Sequence, residues 1–298
     1  MMKYRRLGKT NLNVSVIGIG TWQFGGEWGK EFNQDEVNQI LGRAQQLGIN
    51  LIDTAECYGD HTSERLIGGA VKNQRDKWII ATKFGHRFTG FMQRSDERTP
   101  NDVKKQLEDS LKALQTDYID IYQFHSVRDS EFFNEELWKL LWDAKRAGKI
   151  RHIGNSISSN IDPRPQADAS TKAQVEVLQI FYNRLDRRAE ETAFPSAQKQ
   201  NLGVFARVPL ASGLLTGKYK PGAKFPPGDA RHEQKPEEIE RKLREVERIA
   251  KEEIPPGVPM AQWALAWCLK HPAVTAVIPG CKDVKQVESN ANAADLVP

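Results

Sequence analysis

The strongest constraint on this chain is a rhythm. Short apolar runs alternate with longer amphipathic stretches, and the alternation gives eight strand-then-helix units. A run that is apolar throughout has both faces buried, as in a parallel sheet covered by helices. Such runs fall at Val14–Thr21, Leu51–Asp53, Trp78–Lys83, Ile119–His125, Arg151–Ser156, Val177–Tyr182, Gly203–Arg207 and Val274–Ile278. Helical spacing is read at Asp35–Leu47, Ser63–Val71, Pro100–Leu114, Glu135–Ala147, Glu191–Gln200, Pro236–Glu253, Pro259–Lys270 and Val284–Ala293. Local chemistry supports the boundaries. Leu41, Ala44 and Leu47 share one helical face that Gly48 ends, and Thr99 precedes Pro100 as an N-cap with Asp102 at N3. Ile161–Ser170 contains prolines and receives no helix. Ahead of the first unit, residues 3–8 and 13–19 read as a hairpin turning through Gly8–Leu12.

Eight such units in 298 residues predict an α/β fold, a (β/α)8 TIM barrel in one domain over 1–298, with extra helices near the C-terminus. A doubly wound open sheet competes, but Gly18-Ile19-Gly20-Thr21-Trp22-Gln23 lacks the third glycine of its fingerprint. In a barrel the reactive groups gather at the C-terminal strand ends. Asp53, Lys83, His125, Ser156 and Arg207 stand there, and Tyr58 lies in the loop just past Asp53. Trp22, Phe24 and Trp28 follow the first strand, so they are expected near the same mouth as a substrate wall. Residues 211–235 carry Gly or Pro at 213, 217, 221, 222, 226, 227 and 228 and read as a functional loop. The helix after it pairs charges at Glu237–Arg241 and Glu240–Arg244, a solvated face.

Several function classes fall away. The net charge is +4, and its cations are interleaved with acids, which argues against a nucleic-acid partner. Cys57, Cys268 and Cys281 are an odd set with no metal spacing, so no metal is expected and a reducing compartment is. Neither a signal h-region nor a run long enough to span a bilayer is seen, so the expectation is a cytoplasmic, soluble chain, monomeric by default. Ser212–Tyr219 has three residues between its glycines and no Ser/Thr after Lys218, so it is not a phosphate loop. Gly154–Ser158 lacks the last glycine of a nucleophile elbow.

Asp53, Tyr58, Lys83 and His125, in that order, resemble the catalytic tetrad of the aldo-keto reductases. The resemblance covers essentially the whole chain. Asp53-Thr-Ala-Glu-Cys-Tyr-Gly59 followed by Ser63-Glu64 resembles the family's tyrosine signature. Pro209-Leu-Ala-Ser-Gly213-Leu-Leu-Thr-Gly217-Lys218 is similar to its pyrophosphate-covering loop, and Val274–Gly280 through Asn290 to its C-terminal cofactor signature. The nearest branch in this respect is that of the aldehyde reductases and potassium-channel β subunits.

That resemblance implies a barrel with the N-terminal hairpin across its base, binding NADPH/NADP+ extended, and reducing a small carbonyl substrate. Tyr58 would give the proton, Lys83 held by Asp53 would lower its pKa, and His125 would orient the carbonyl. Cofactor contacts are implied for Gly20, Thr21, Trp22, Asp53, Ser156, Gln179, Arg207, Pro209, Leu210, Ser212, Gly213, Leu214, Gly217, Lys218, Gly280, Lys282, Gln286 and Asn290. Ser156 and Gln179 match the carboxamide end, and Lys282 the extra phosphate of NADPH. Ile157 and Ser289 depart from the asparagine and glutamate common at their positions. The alternative carried by the resemblance is a cofactor-binding regulatory subunit with slow turnover.

Overall fold

The structure is a computed structural model that describes residues 1–226, 229, 231–232 and 234–297. Pro227 and Gly228 of the expected loop, and Pro298, lie outside the described residues. In chain order the strands are β1 (Tyr4–Arg6), β2 (Asn13–Ser15), β3 (Ile19–Gly20), β4 (Leu51–Asp53), β5 (Ile79–Phe84), β6 (His86–Gly90), β7 (Gln93–Asp96), β8 (Ile119–His125), β9 (Ile150–Ser156), β10 (Val177–Phe181), β11 (Gly203–Arg207) and β12 (Ala276–Val277). The helices are α1 (Gln34–Gln46), α2 (Thr62–Val71), α3 (Pro100–Ala113), α4 (Asp129–Phe132), α5 (Glu135–Arg146), α6 (Arg164–Ala169), α7 (Ala193–Lys199), α8 (Pro236–Glu252), α9 (Met260–Lys270) and α10 (Val284–Asn292).

Eight parallel strands run in the order β12-β11-β10-β9-β8-β5-β4-β3. The ends of that row meet. The Gly18 amide donates to the Val277 carbonyl at 2.8 Å and the Gly20 amide to the Pro279 carbonyl at 2.9 Å, with parallel bridges Ile17–Val277 and Gly20–Gly280. The sheet is therefore closed, the (β/α)8 barrel expected from the rhythm. Most helices begin and end where the sequence places them. Thr99 and Asp102 form a reciprocal capping box at α3, and Asn33 and Glu36 another at α1.

The side chains along each strand make the mouth polar and the base apolar. Successive residues of a strand face opposite ways, so every second residue enters the lumen. Low in the lumen, Leu51, Ala81, Ile121, Val177, Phe205, Ala276 and Ile278 form one apolar cluster, which Leu7 and Val14 of the β1–β2 hairpin close from below. Two positions further along, the same strands present Asp53, Lys83, Gln123, Gln179 and Arg207. A second two-residue step on β8 reaches His125. The outward faces pack under the helices in a larger cluster. A third cluster, built from Leu214, Leu215, Ile239, Leu243, Val246 and Trp263, sits beneath the loop after β11.

Three expectations are corrected. Val14–Thr21 is not one strand: Asn13–Ser15 pairs antiparallel with β1, and the residues from Ile17 to Gly20 join the barrel, by a bridge to Val277 and by strand β3. Ile161–Ser170 contains the short α6, because Pro163 and Pro165 fall at its start, where a missing N–H costs nothing. Between Lys83 and Thr99, where a plain loop was read, β6 and β7 form an antiparallel hairpin.

Candidate active site

Lys83 organises the mouth. It is fully buried, and its ammonium donates to Asp53 Oδ2 at 2.8 Å, to the Thr54 carbonyl at 2.7 Å and to Tyr58 Oη at 3.2 Å. Burial opposes its charge, but Asp53 and Tyr58 outweigh this and hold it well above the ordinary lysine range. Asp53 is fixed from its other oxygen, Oδ1, by Gln179 Nε2 at 2.6 Å and Gln123 Nε2 at 3.3 Å. Gln123 was not singled out from the sequence. The available signal was its place two residues before His125 on the same strand face.

Tyr58 is held by backbone packing as well as by Lys83. A Cβ on Gly25 would lie 2.5 Å from the Tyr58 carbonyl carbon, and one on Gly59 would lie 2.3 Å from the Gly25 carbonyl oxygen. Only glycines allow the loop after β3 to press against the loop after β4 this closely. The contact brings Trp22 alongside Tyr58, with ring centroids 6.0 Å apart and planes at 22°. His125 faces the phenol from the other side, its ring centroid 6.2 Å away at 83°.

The charge states differ from the sequence expectation at Tyr58. Lys83 does pull its pKa down, but burial pushes harder and Asp53 assists burial, so the phenol is pushed up to about 12. The hydroxyl is therefore protonated at neutral pH. Burial, with Lys83 second, holds His125 well below the ordinary histidine range, so its imidazole is neutral. Its Nδ1 lies 3.7 Å from Cys57 Sγ. Burial raises the Cys57 thiol far above its usual range, so it keeps its proton. A thiol donating to Nδ1 leaves Nε2–H as the imidazole's donor.

Among the other expected site residues the structure divides roles. Ser156 Oγ donates to Gln179 Oε1 at 3.3 Å, and Gln179 in turn donates to Asp53. Thr21 is buried and donates from both its amide and its hydroxyl to the Asp53 carbonyl, at 3.0 and 2.9 Å. Phe24 does not line a pocket: it is 1% exposed and packs on Phe32 in the core. Trp28 meets Trp22 edge-on at 5.1 Å and does belong to the mouth. Arg207 donates to the Ile157 carbonyl at 3.2 Å and lies over the Phe181 ring. The turn at Ala211–Thr216 holds Ser212 and Gly213 at φ of 56° and 88°, while Leu214 is buried in the satellite core and offers only backbone. Pro209 and Leu210 lead into it, and Gly217 and Lys218 leave it exposed.

At the far end, Lys282 Nζ donates to the Trp28 carbonyl at 2.8 Å, and its amide donates to Gln286 Oε1 at 3.0 Å. Asn290 Nδ2 reaches the Gly280 carbonyl at 3.4 Å. Arg231, not expected from the sequence, pairs with Asp229 at 2.6 Å and donates to the Ser212 carbonyl at 3.3 Å.

Two features escaped the sequence. The β6–β7 hairpin is locked to the loop after β3 through Glu27, which is 1% exposed. Glu27 accepts from Trp22 Nε1 at 2.7 Å and from the Met92 amide at 2.9 Å, and pairs with Arg94. His86, at the hairpin's base, lies with its ring centroid 4.9 Å from that of His125. The hairpin thus adds a second wall to the mouth beside the aromatic one. The second feature is a convergence of three donor groups. Cys57, Glu56 and His125 converge, one donor atom of each lying within 4.8 Å of the others.

A lumen that is apolar below, with an Asp–Lys–Tyr hydrogen-bonded group and a neutral histidine above, is a site for moving one proton at a polarised oxygen. Comparison with known proteins gives the family. The chain belongs to the aldo/keto reductase family, whose profile matches residues 16–298, and it is an oxidoreductase of that family. It is 30% identical to the NADH-specific methylglyoxal reductase of Escherichia coli over 99% of this chain and 94% of the relative. A probable voltage-gated potassium channel subunit beta of Arabidopsis thaliana is 29% identical over 100% of this chain and 92% of that protein. Among solved structures, an aldo-keto reductase of Bacillus halodurans in its holo form superposes with a TM-score of 0.84 at 30% identity, covering 100% of this chain and 92% of that one.

Proposed function

We propose that the protein reduces aldehydes, and some ketones, to alcohols with NADPH, Tyr58 serving as general acid. The observation that carries this reading is the hydrogen-bonded line from Asp53 through Lys83 to Tyr58 Oη, facing a neutral His125.

The residues around the mouth suit an extended nicotinamide cofactor. Arg207 Nε, Gln23 Oε1 and Trp28 Nε1 are buried atoms without a partner among the described residues. Gln23 lies against Gly280, the Trp28 carbonyl accepts from Lys282, and Arg207 donates to the Ile157 carbonyl just past Ser156. Native proteins rarely leave such atoms unsatisfied, so they call for a polar occupant. Ser156, Gln179 and Arg207 would hold the nicotinamide end. The loop from Pro209 to Lys218 would cover the pyrophosphate, and Lys282, Gln286 and Asn290 would hold the adenosine end. The cofactor, when bound, supplies a hydride to the carbonyl carbon.

The protein's own work is at the oxygen. Nε2–H of His125 donates to the carbonyl and orients it. The Tyr58 hydroxyl, protonated at neutral pH, releases its proton as negative charge grows on that oxygen. Lys83 then lies against the forming phenolate and stabilises it, while Asp53 keeps the ammonium in place. The second wall, from His86 to Asp96, gives the substrate a polar boundary beside the aromatic one of Trp22 and Trp28.

Steady NADPH consumption across aldehydes, from propanal to substituted benzaldehydes, and aryl ketones tests the reading. The expected result is sustained turnover, with aldehydes ahead of bulky ketones. A single stoichiometric turnover with every carbonyl would favour a regulatory subunit instead.

A further inference from the structure

The carbonyl chemistry leaves two buried groups beside His125 without a chemical step of their own. Glu56 is 3% exposed and Cys57 1%. Glu56 Oε1 accepts the His86 amide at 3.0 Å, whereas Oε2 is buried and has no partner among the described residues. Cys57 Sγ lies 3.7 Å from His125 Nδ1. A carboxyl oxygen, a thiol sulfur and an imidazole nitrogen all lie within 4.8 Å of one another. We propose that Glu56, Cys57 and His125 form a binding site for a zinc-like divalent cation, and that its occupancy inhibits turnover.

The donor set selects the ion. Sulfur and imidazole ligands favour Zn2+ or Co2+, while Mg2+ and Ca2+ require oxygen cages. Three protein ligands leave the fourth tetrahedral position for water. Charge also balances. Before binding, the Cys57 thiol and the Glu56 carboxyl are both protonated, the latter because burial raises its pKa to about 8. Binding a divalent ion forms a metal–thiolate and a metal–carboxylate bond and releases both protons to solvent. Two charges enter and two leave, so nearby Lys83 and Arg94 face no added positive charge.

Inhibition follows from distance. Donors around a tetrahedral zinc are about 3.5 Å apart, given its bond lengths. His125 Nδ1 and Cys57 Sγ already lie 3.7 Å apart, so the contraction from up to 4.8 Å falls on Glu56, which pulls on the His86 amide it accepts and so on the ring packed against His125. A displacement of about 1 Å at a positioning group costs roughly 10²-fold in rate.

The experiment is Co2+ titration of the full chain followed by absorption, with Zn2+ inhibition of NADPH consumption measured in parallel. One equivalent of Co2+ should produce a thiolate-to-cobalt charge-transfer band in the near ultraviolet. Cys57→Ser should abolish the band and Cys281→Ser should retain it. Glu56→Gln should weaken the metal about tenfold or more, at least what loss of a supporting group costs. Zn2+ should suppress turnover, and a chelator should restore it. No band in the unmodified protein, or a band that survives Cys57→Ser, overturns the site. Undiminished turnover at saturating metal overturns the inhibitory role. The spectrum reads binding without turnover, so it decides the site even if the proposed carbonyl reduction fails.

Discussion

At Tyr58 two effects oppose each other, and their balance sets what the residue can do. Lys83 favours the phenolate, but burial favours the phenol and wins. The acid form is therefore the resting form, and in the proposed reaction Lys83 acts as the proton leaves. Tyr58→Phe should lower kcat by about 10²–10⁴-fold, the worth of one general acid, with cofactor affinity by fluorescence titration nearly unchanged. A near-normal kcat would end the assignment. Glu56 makes a second prediction. Its folded pKa is about 8 against an ordinary 4.5, so the fold retains a proton that the unfolded chain has lost. Stability therefore falls as pH rises from about 4.5 to about 8. Glu56→Gln keeps an acceptor for the His86 amide and removes that loss. It should raise the Tm at pH 7, by up to about 3 kcal/mol in stability, and leave stability near pH 4 almost unchanged. Equal Tm changes at both pH values would show that burial is not the cause. The places of Asp53, Lys83 and His125 were legible because each ends an apolar run, and that of Tyr58 because it lies in the loop just past one. Gln123 and Glu56 were not, since nothing local marks an amide or a carboxyl as facing a particular neighbour.

Among the elements, the β6–β7 hairpin is the one the sequence concealed. His86–Gly90 and Gln93–Asp96 bury no continuous apolar face, so they lack the pattern by which strands are read. The ribbon is held instead by Glu27, through Met92, Arg94 and Trp22. Glu27→Gln leaves Arg94 without its counter-charge and should cost about 1–3 kcal/mol, as for a charged hydrogen bond with one partner weakened. It should also loosen both walls of the mouth, so kcat/KM for aldehydes should fall mainly through KM. Denaturant unfolding and a KM–kcat split measure the two effects. An unchanged KM would separate the hairpin from the pocket. The barrel helices needed no such long-range tie to be read: caps such as Thr99 and stops such as Gly48 act within one turn.

For the molecule as a whole, the proposed cofactor course joins opposite ends of the chain. Lys282 reaches the first barrel loop through the Trp28 carbonyl, 254 residues away. A charge-assisted bond from its ammonium to a 2′-phosphate is worth about 1.5–3 kcal/mol. Lys282→Ala should therefore raise the Kd for NADPH roughly tenfold to hundredfold and move that for NADH little. Equal losses by titration would assign Lys282 to the loop tie alone. Sequence by itself determined the period and order of the strands, the helix caps and the hairpin at the base, because these follow from residue spacing along the backbone. It also carried the family. Tertiary structure alone decided which strand faces meet in the lumen, where the row closes at Gly20 and Gly280, and that Cys57 comes within 3.7 Å of His125 across 68 residues. It also decided that burial outweighs Lys83 at Tyr58. Burial and through-space charge depend on what surrounds a group in three dimensions, and the curvature of a closed barrel brings together residues whose sequence spacing says nothing of the encounter.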